Sequence, residues 1–373
     1  MSARRVLILS VSAGAGHVRA AEALTAYAKQ EFGDVQALHL DIMDCASPAF
    51  RKLYTDAYIN LVSKYPQVWG LMYQVTSEAR AEAIMNKLRR AIERLNTRAL
   101  RERIAEFAPS AIVCTHFLPA EILMHEIRRG RVDVPVWVQV TDFDLHRMWV
   151  MPRMTGYFAA NDEIAFRMRK AGLPSVHVAG IPIMPAFAQA PDRATCAREL
   201  GCDPHRRTLL LMGGGAGVGK LTEVAESLLA IDADFQLLVL AGKNASALAE
   251  LKQLAVRYPA RLFPQGFTNQ VERVMACADL AITKPGGLTS SECLAMGLPM
   301  IVHSPIPGQE ERNADYLIEQ GAAWKAVDAI GMEYRVRELL AHPERLARMR
   351  ERTQALAHPH AAREVLRVVL AQA

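Results

Sequence analysis

The residue best suited to move a proton is His17. It closes a glycine-rich turn, Ser12-Ala13-Gly14-Ala15-Gly16-His17, that follows the strand-like run Val6–Ser10 and leads into a helical pattern. Glycines let the backbone turn tightly and approach a ligand, and a helix N-terminus favours an anion or a polar reacting group. Two readings fit the imidazole: a cap on the following helix, or a base that takes the proton of an attacking hydroxyl near pH 7.

Four further motifs carry chemistry. Gly213-Gly214-Gly215-Ala216-Gly217-Val218-Gly219-Lys220 fits the start of a P-loop from Gly214 to Lys220, but the next residue is Leu221. The hydroxyl that would bind Mg²⁺ in a nucleotidase is therefore missing, while the amides can still cradle a diphosphate. Thr283-Lys284-Pro285-Gly286-Gly287-Leu288-Thr289-Ser290-Ser291-Glu292 also runs from strand to helix. Amides at Gly287–Thr289 and the Thr289 hydroxyl suit phosphate. Glu292 lies one helical turn beyond Thr289 on the same face, where a carboxylate can accept two ribose hydroxyls. In Pro307-Gly308-Gln309-Glu310-Glu311-Arg312-Asn313-Ala314, the amide and carboxylates suit the vicinal hydroxyls of a sugar; acidic capping of the next helix is the other reading. Thr141-Asp142-Phe143-Asp144-Leu145-His146 contains a D-x-D, a pattern that binds Mn²⁺ in some sugar transferases. With glycine loops already available for a diphosphate, a metal-free role beside the reacting groups is expected here.

The elements that must position these residues follow from the alternation of short apolar runs with helical stretches. Strands are expected at Val6–Ser10, Val35–Leu40, Ala111–Thr115, Val134–Val140, Val176–Ala179, Thr208–Met212, Phe235–Ala241, Leu262–Pro264, Leu280–Thr283 and Pro299–His303. They form two groups of five, each a parallel α/β sheet with helices on both faces, and the motifs fall at the carboxyl ends of strands. The run Gly180-Ile181-Pro182-Ile183-Met184-Pro185, with Pro191 beyond it, separates the groups, and Asp192 reads as a helix cap. The expected domains are 1–182 and 183–358, with a C-terminal helix at 359–373 packing back on the first. Residues 47–107 break the alternation and read as a helical insertion rich in aromatics, Tyr54, Tyr58, Tyr65, Trp69 and Tyr73 among them.

Composition excludes several classes. The chain has 373 residues, of which 51% are hydrophobic and 22% charged, so it is neither disordered nor fibrous. No apolar run approaches the roughly 18 residues of a spanning helix, and no secretory signal is expected before Val6. Six cysteines without a C-x-x-C pair read as buried thiols, and the histidines contain no H-x-x-x-H pair. A net charge of +5 is too small for a nucleic-acid binder unless concentrated. From Arg80 to Arg103, eight basic residues face three acidic ones, an excess equal to that of the whole chain. Ile84, Leu88, Ile92 and Leu95 recur there at helical spacing, so the segment reads as a basic amphipathic helix carrying Arg89, Arg90 and Arg94.

With these motifs in this order, the sequence resembles the processive diacylglycerol β-glucosyltransferases and monogalactosyldiacylglycerol synthases. The likeness runs over nearly the whole chain. It rests on Gly14–His17, Thr141-Asp142-Phe143 with His146 and Trp149, Gly180-Ile181-Pro182-Ile183, Ala241-Gly242-Lys243-Asn244, Lys284–Gly287 through Glu292, and Pro307–Glu310 with Asn313-Ala314. The resemblance implies a GT-B fold, two Rossmann-like domains facing a cleft, and inverting transfer of glucose or galactose from a UDP-sugar to diacylglycerol without a metal. His17 would be the catalytic base, with Gly16, Asp142 and His146 on the acceptor side. Gly214, Gly215, Gly287 and Thr289 would hold the diphosphate, Glu292 the ribose, Gln309 and Glu310 the sugar, and Phe267 the uracil. Met184 departs from the pattern: many relatives have arginine there, and Lys220 or Arg153 would have to supply its charge. A lipid acceptor makes the basic segment a docking face for an anionic membrane, and the protein a cytoplasmic, peripheral enzyme with no nucleic-acid partner. A UDP-sugar 2-epimerase and a non-catalytic UDP-sugar sensor are the competing functions.

Overall fold

The structure, a computed structural model, describes residues 4–12, 14–47, 51, 67, 70, 97–213 and 221–373. It divides into two compact units. The first comprises Met1–Pro185, Pro307–Gln309 and His358–Ala373, and the second Ala186–Ile306 and Glu310–Ala357.

The first unit is built on a six-stranded parallel sheet of order β2-β1-β3-β4-β5-β6. Its strands are β1 (Arg4–Ser10), β2 (Val35–Asp41), β3 (Ala111–Cys114), β4 (Val136–Gln139), β5 (Gly156–Ala159) and β6 (Val176–Val178). The order reverses between β1 and β3, and in open parallel sheets ligands bind at the carboxyl ends beside such a reversal. The second sheet has order β12-β11-β10-β7-β8-β9 and is also parallel throughout. It contains β7 (Thr208–Met212), β8 (Gln236–Leu240), β9 (Leu262–Gln265), β10 (Leu280–Thr283), β11 (Met300–His303) and β12 (Ala323–Ala326). Here the reversal falls between β7 and β10, the two strands that precede the second and third glycine motifs.

The expectation of five strands per sheet is therefore corrected to six among the described residues. The strand β5 escapes a hydropathy reading because it is short and opens on glycine. Gly156 is required there: a Cβ would lie 2.4 Å from Trp137 Cζ3 and 2.7 Å from the Ser175 carbonyl. The strand β12, Ala-Trp-Lys-Ala, is an edge strand with a central lysine and pairs only with β11.

The first core gathers Val6, Ile8, Leu24, Tyr27, Val113, Trp137 and Phe158 with Val365, Leu366 and Val369 of the helix Ala361–Leu370. Burying each such aliphatic side chain stabilises the unit by about 1.5–3 kcal/mol. The Tyr27 hydroxyl donates to the Pro359 carbonyl at 3.1 Å, and Arg363 donates to Glu31 at 2.6 Å. In the second unit, Asp192 caps the helix Arg193–Leu200 by accepting the Thr195 N–H at 2.8 Å. All six cysteines are free, and no helix among the described residues is long and apolar enough to cross a membrane. The basic segment with Arg89, Arg90 and Arg94, most of the aromatic insertion, and the loop residues Gly214, Gly215 and Lys220 lie outside the described residues.

Candidate active site

His17 sits in the first turn of the helix Ala15–Glu31, which has Gly14 at its N-cap and no side-chain cap. The capping reading of His17 is thus set aside: its imidazole turns across the sheet reversal instead. Nδ1 lies 2.9 Å from the Thr115 carbonyl oxygen and 2.8 Å from Thr141 Oγ1. A carbonyl oxygen only accepts, so Nδ1 carries the hydrogen and Nε2 keeps its lone pair. The Thr115 hydroxyl donates to the His17 carbonyl at 2.9 Å and to Leu9 at 3.3 Å, fixing the start of the helix against the ends of β1 and β3.

Rings close around this imidazole. His116 meets it edge-on with centroids 4.5 Å apart, and Trp149 lies at 6.2 Å. Phe117 packs on both His116, at 4.0 Å, and Trp149, at 6.0 Å. Burial drives the His17 pKa down to about 4, although the Thr115 carbonyl acts in the opposite direction. The imidazole is therefore neutral and able to accept a proton throughout the physiological range. His116 is also held well below the usual histidine range, by burial first and by His17 second. Its Nδ1 accepts the Leu118 N–H at 3.0 Å, which caps the helix Phe117–Arg128. Sequence reasoning missed both Thr115 and His116; their position directly after β3 was the available signal.

Gly16 lies beside His17 in the same helical turn, and Asp142 is half-buried in the loop after β4. His146 is buried, and its Nδ1 accepts the Met148 N–H at 3.2 Å, capping the turn Arg147–Trp149. It thereby sets the loop that delivers Trp149 to His17. The second acid of the D-x-D, Asp144, lies 3.8 Å from the Arg167 guanidinium. No group of three His, Cys, Asp or Glu side chains among the described residues is arranged to hold a metal.

In the second unit, the third motif meets the part of the fourth that begins at Glu310. The helix Gly287–Ala295 starts behind Gly286, which has no side chain to cap it. Thr289 is half-buried in its first turn, and Glu292 is buried one turn on. Ser290 Oγ is fully buried and has no hydrogen-bond partner among the described residues. Asn313 is buried in the helix Gln309–Glu319, and its Nδ2 donates to the Pro285 carbonyl at 3.1 Å. Glu310 accepts the Ile306 N–H at 2.7 Å and has its other oxygen 3.7 Å from the position a Cβ on Gly286 would take. Burial raises its pKa against the pull of that N–H and of Lys284. Gln309, its neighbour, opens the helix half-buried. Phe267 is 58% exposed, with the Lys243 ammonium 5.0 Å from its ring centroid. An exposed flat ring of this kind is able to stack on a base. His303, at the end of β11, was also missed; burial and Lys284 push it down to about 4.

Two parallel α/β units, each with candidate site residues beside its reversal of strand order, are the architecture of the GT-B glycosyltransferases. A family model described as monogalactosyldiacylglycerol (MGDG) synthase matches residues 17–183, and one described as the glycosyltransferase family 28 C-terminal domain matches 208–365. The chain is 30% identical to a processive diacylglycerol β-glucosyltransferase of Bacillus subtilis (strain 168), over 98% of this chain and 95% of that protein. It is 32% identical to the chloroplastic monogalactosyldiacylglycerol synthase of Spinacia oleracea, over 86% of this chain and 63% of that one. The crystal structure of Acinetobacter baumannii MurG superposes with a TM-score of 0.63, at 15% identity and covering 99% of both chains. The chain belongs to the family of diacylglycerol glycosyltransferases that includes the processive β-glucosyltransferases and the monogalactosyldiacylglycerol synthases.

Proposed function

We propose that this glycosyltransferase moves a hexose from a UDP-sugar to the free hydroxyl of 1,2-diacylglycerol, with inversion and without a metal. The observation that carries the reading is the state of His17: neutral, with Nδ1–H bonded and Nε2 left as the basic nitrogen. The acceptor oxygen attacks C1 of the sugar and forms the new C–O bond. Its proton passes to Nε2, and the bond from C1 to the diphosphate breaks with its electron pair leaving on UDP. Amides of the glycine loops with Gly214, Gly215, Gly287 and Thr289 take up the growing charge on the diphosphate. Glu292 holds the ribose, Gln309 and Glu310 the sugar hydroxyls, and Phe267 the uracil, while Gly16, Asp142 and His146 shape the acceptor side.

The lipid acceptor makes the basic run through Arg89, Arg90 and Arg94 a docking face for an anionic bilayer, on the cytoplasmic side of the cell membrane. Changing all three to Glu is expected to abolish binding to anionic vesicles and to leave UDP binding intact; unchanged vesicle binding would refute the docking role.

The decisive experiment is incubation with diacylglycerol and UDP-glucose, UDP-galactose or UDP-glucuronate in the presence of EDTA, followed by lipid chromatography. A glycolipid that forms with wild type and not with His17→Ala supports the reading. UDP released equally well without diacylglycerol would favour an epimerase, no release at all a sensor, and activity restored only by Mn²⁺ a metal-dependent enzyme.

A further inference from the structure

Thr141 stands behind His17 in the place where many base histidines have a carboxylate. It emerges just past the end of β4, is 5% exposed, and its Oγ1 lies 2.8 Å from His17 Nδ1. The Thr115 carbonyl occupies the same N–H at 2.9 Å. Because that carbonyl can only accept, the single Nδ1–H is shared between two oxygens, and the Thr141 hydroxyl is the second acceptor. The two threonines divide the labour. Thr115 spends its hydroxyl on the backbone carbonyls of His17 and Leu9, so its side chain holds the helix and not the ring. Thr141 is the side chain that addresses the imidazole itself. Among the described residues, the rings packed against the imidazole are His116 and Trp149, of which only His116 titrates.

We propose that Thr141 is a positioning residue for transfer: its hydroxyl oxygen aligns the His17 ring and steadies the imidazolium that forms when Nε2 takes the acceptor proton. This rests on the reading of His17 as the base. As Nε2 gains its proton, the Nδ1–H becomes a stronger donor, and bonds from a charged donor are roughly twice as strong as neutral ones. The gain at Thr141 is thus larger in the transition state than in the resting enzyme, and it appears in kcat. A neutral oxygen in place of a carboxylate stabilises the imidazolium less, which keeps the base weak and uncharged in its ring-lined setting.

Thr141→Val keeps the shape and removes the acceptor. It is expected to lower kcat by about tenfold with KM for UDP-sugar and diacylglycerol within about twofold, and Thr141→Ser is expected to restore most of the rate. Thr141→Asp places a carboxylate on the same N–H and is expected to move the acid limb of kcat/KM upward by one pH unit or more. A Val variant at the wild-type rate, a Ser variant as slow as Val, or an Asp variant with an unmoved acid limb would each overturn the proposal. His17→Gln separates this from failure of the underlying reading. If that variant turns over normally, His17 is not the base; if it is inactive while Thr141→Val is normal, only the role of Thr141 falls.

Discussion

If His17 is the base, its burial has a direct signature in the pH dependence of kcat/KM. An ordinary histidine of pKa 6.5 loses activity below neutrality, because the imidazolium has no lone pair to offer. Here burial lowers the pKa to about 4, so the lone pair persists into acid. At pH 5.5, roughly 97% of His17 remains neutral, against roughly 9% for an unperturbed imidazole, a difference of about tenfold in active enzyme. The assay is initial-rate transfer from a radiolabelled UDP-sugar at subsaturating donor from pH 4.5 to 8, scored as labelled lipid. Stability must be followed in parallel, since the same burial makes the fold acid-sensitive. His17 and His303 bind protons more readily unfolded than folded, so their stabilising contribution is complete above about pH 6.5 and is lost as pH falls toward 4. The full loss is roughly 3 kcal/mol for each residue. Enzyme held at each pH and returned to pH 7.5 before assay separates unfolding from titration. A reversible acid limb centred near 6.5 in enzyme that stays folded would refute the ring-walled setting assigned to His17.

Two structural predictions concern other residues. Asn313→Ala removes the donor to the Pro285 carbonyl and leaves that buried oxygen unsatisfied, at a cost of about 1–3 kcal/mol; the loosened Lys284–Gly287 loop should raise KM for UDP-sugar several-fold at nearly constant kcat, whereas an unchanged KM would make the bond purely structural. Gly180 has φ +84°, and a Cβ there would lie 2.3 Å from His358 Cβ, so Gly180→Ala should destabilise the protein by about 3 kcal/mol in denaturant titrations; a loss below about 0.5 kcal/mol would mean that the C-terminal segment moves aside at little cost.

The readable part of the fold was the part buried on both faces. Strands such as Val6–Ser10 and Thr208–Met212 are continuous apolar runs because helices cover both sides of a parallel sheet. The two strands that escaped notice fail that pattern for definable reasons, a glycine forced by Trp137 in one case and a charged edge position in the other. His17 was legible from its glycine turn, but its partners were not. Thr115 is 98 positions away and Thr141 is 124, and only the reversal of strand order beside β1 brings them to the same imidazole. Local spacing likewise could not reveal that His146 folds a loop through the Met148 N–H, nor that Asp144 lies beside Arg167. Both facts depend on where the chain after β4 turns.

The return of the helix Ala361–Leu370 to the first unit has a consequence for how the protein is made. Its Val365, Leu366 and Val369 complete a core whose other members were laid down from residue 6 onward, and Arg4 Nη1 reaches the Leu370 carbonyl at 3.3 Å. A ribosome must therefore finish the whole second unit before the first can close. During that interval the nascent N-terminal half exposes the apolar surface that this helix covers, a surface for a chaperone to shield or for a neighbouring chain to occupy. A premature stop after Ala361 would leave the second unit's sequence untouched and the first unfinished.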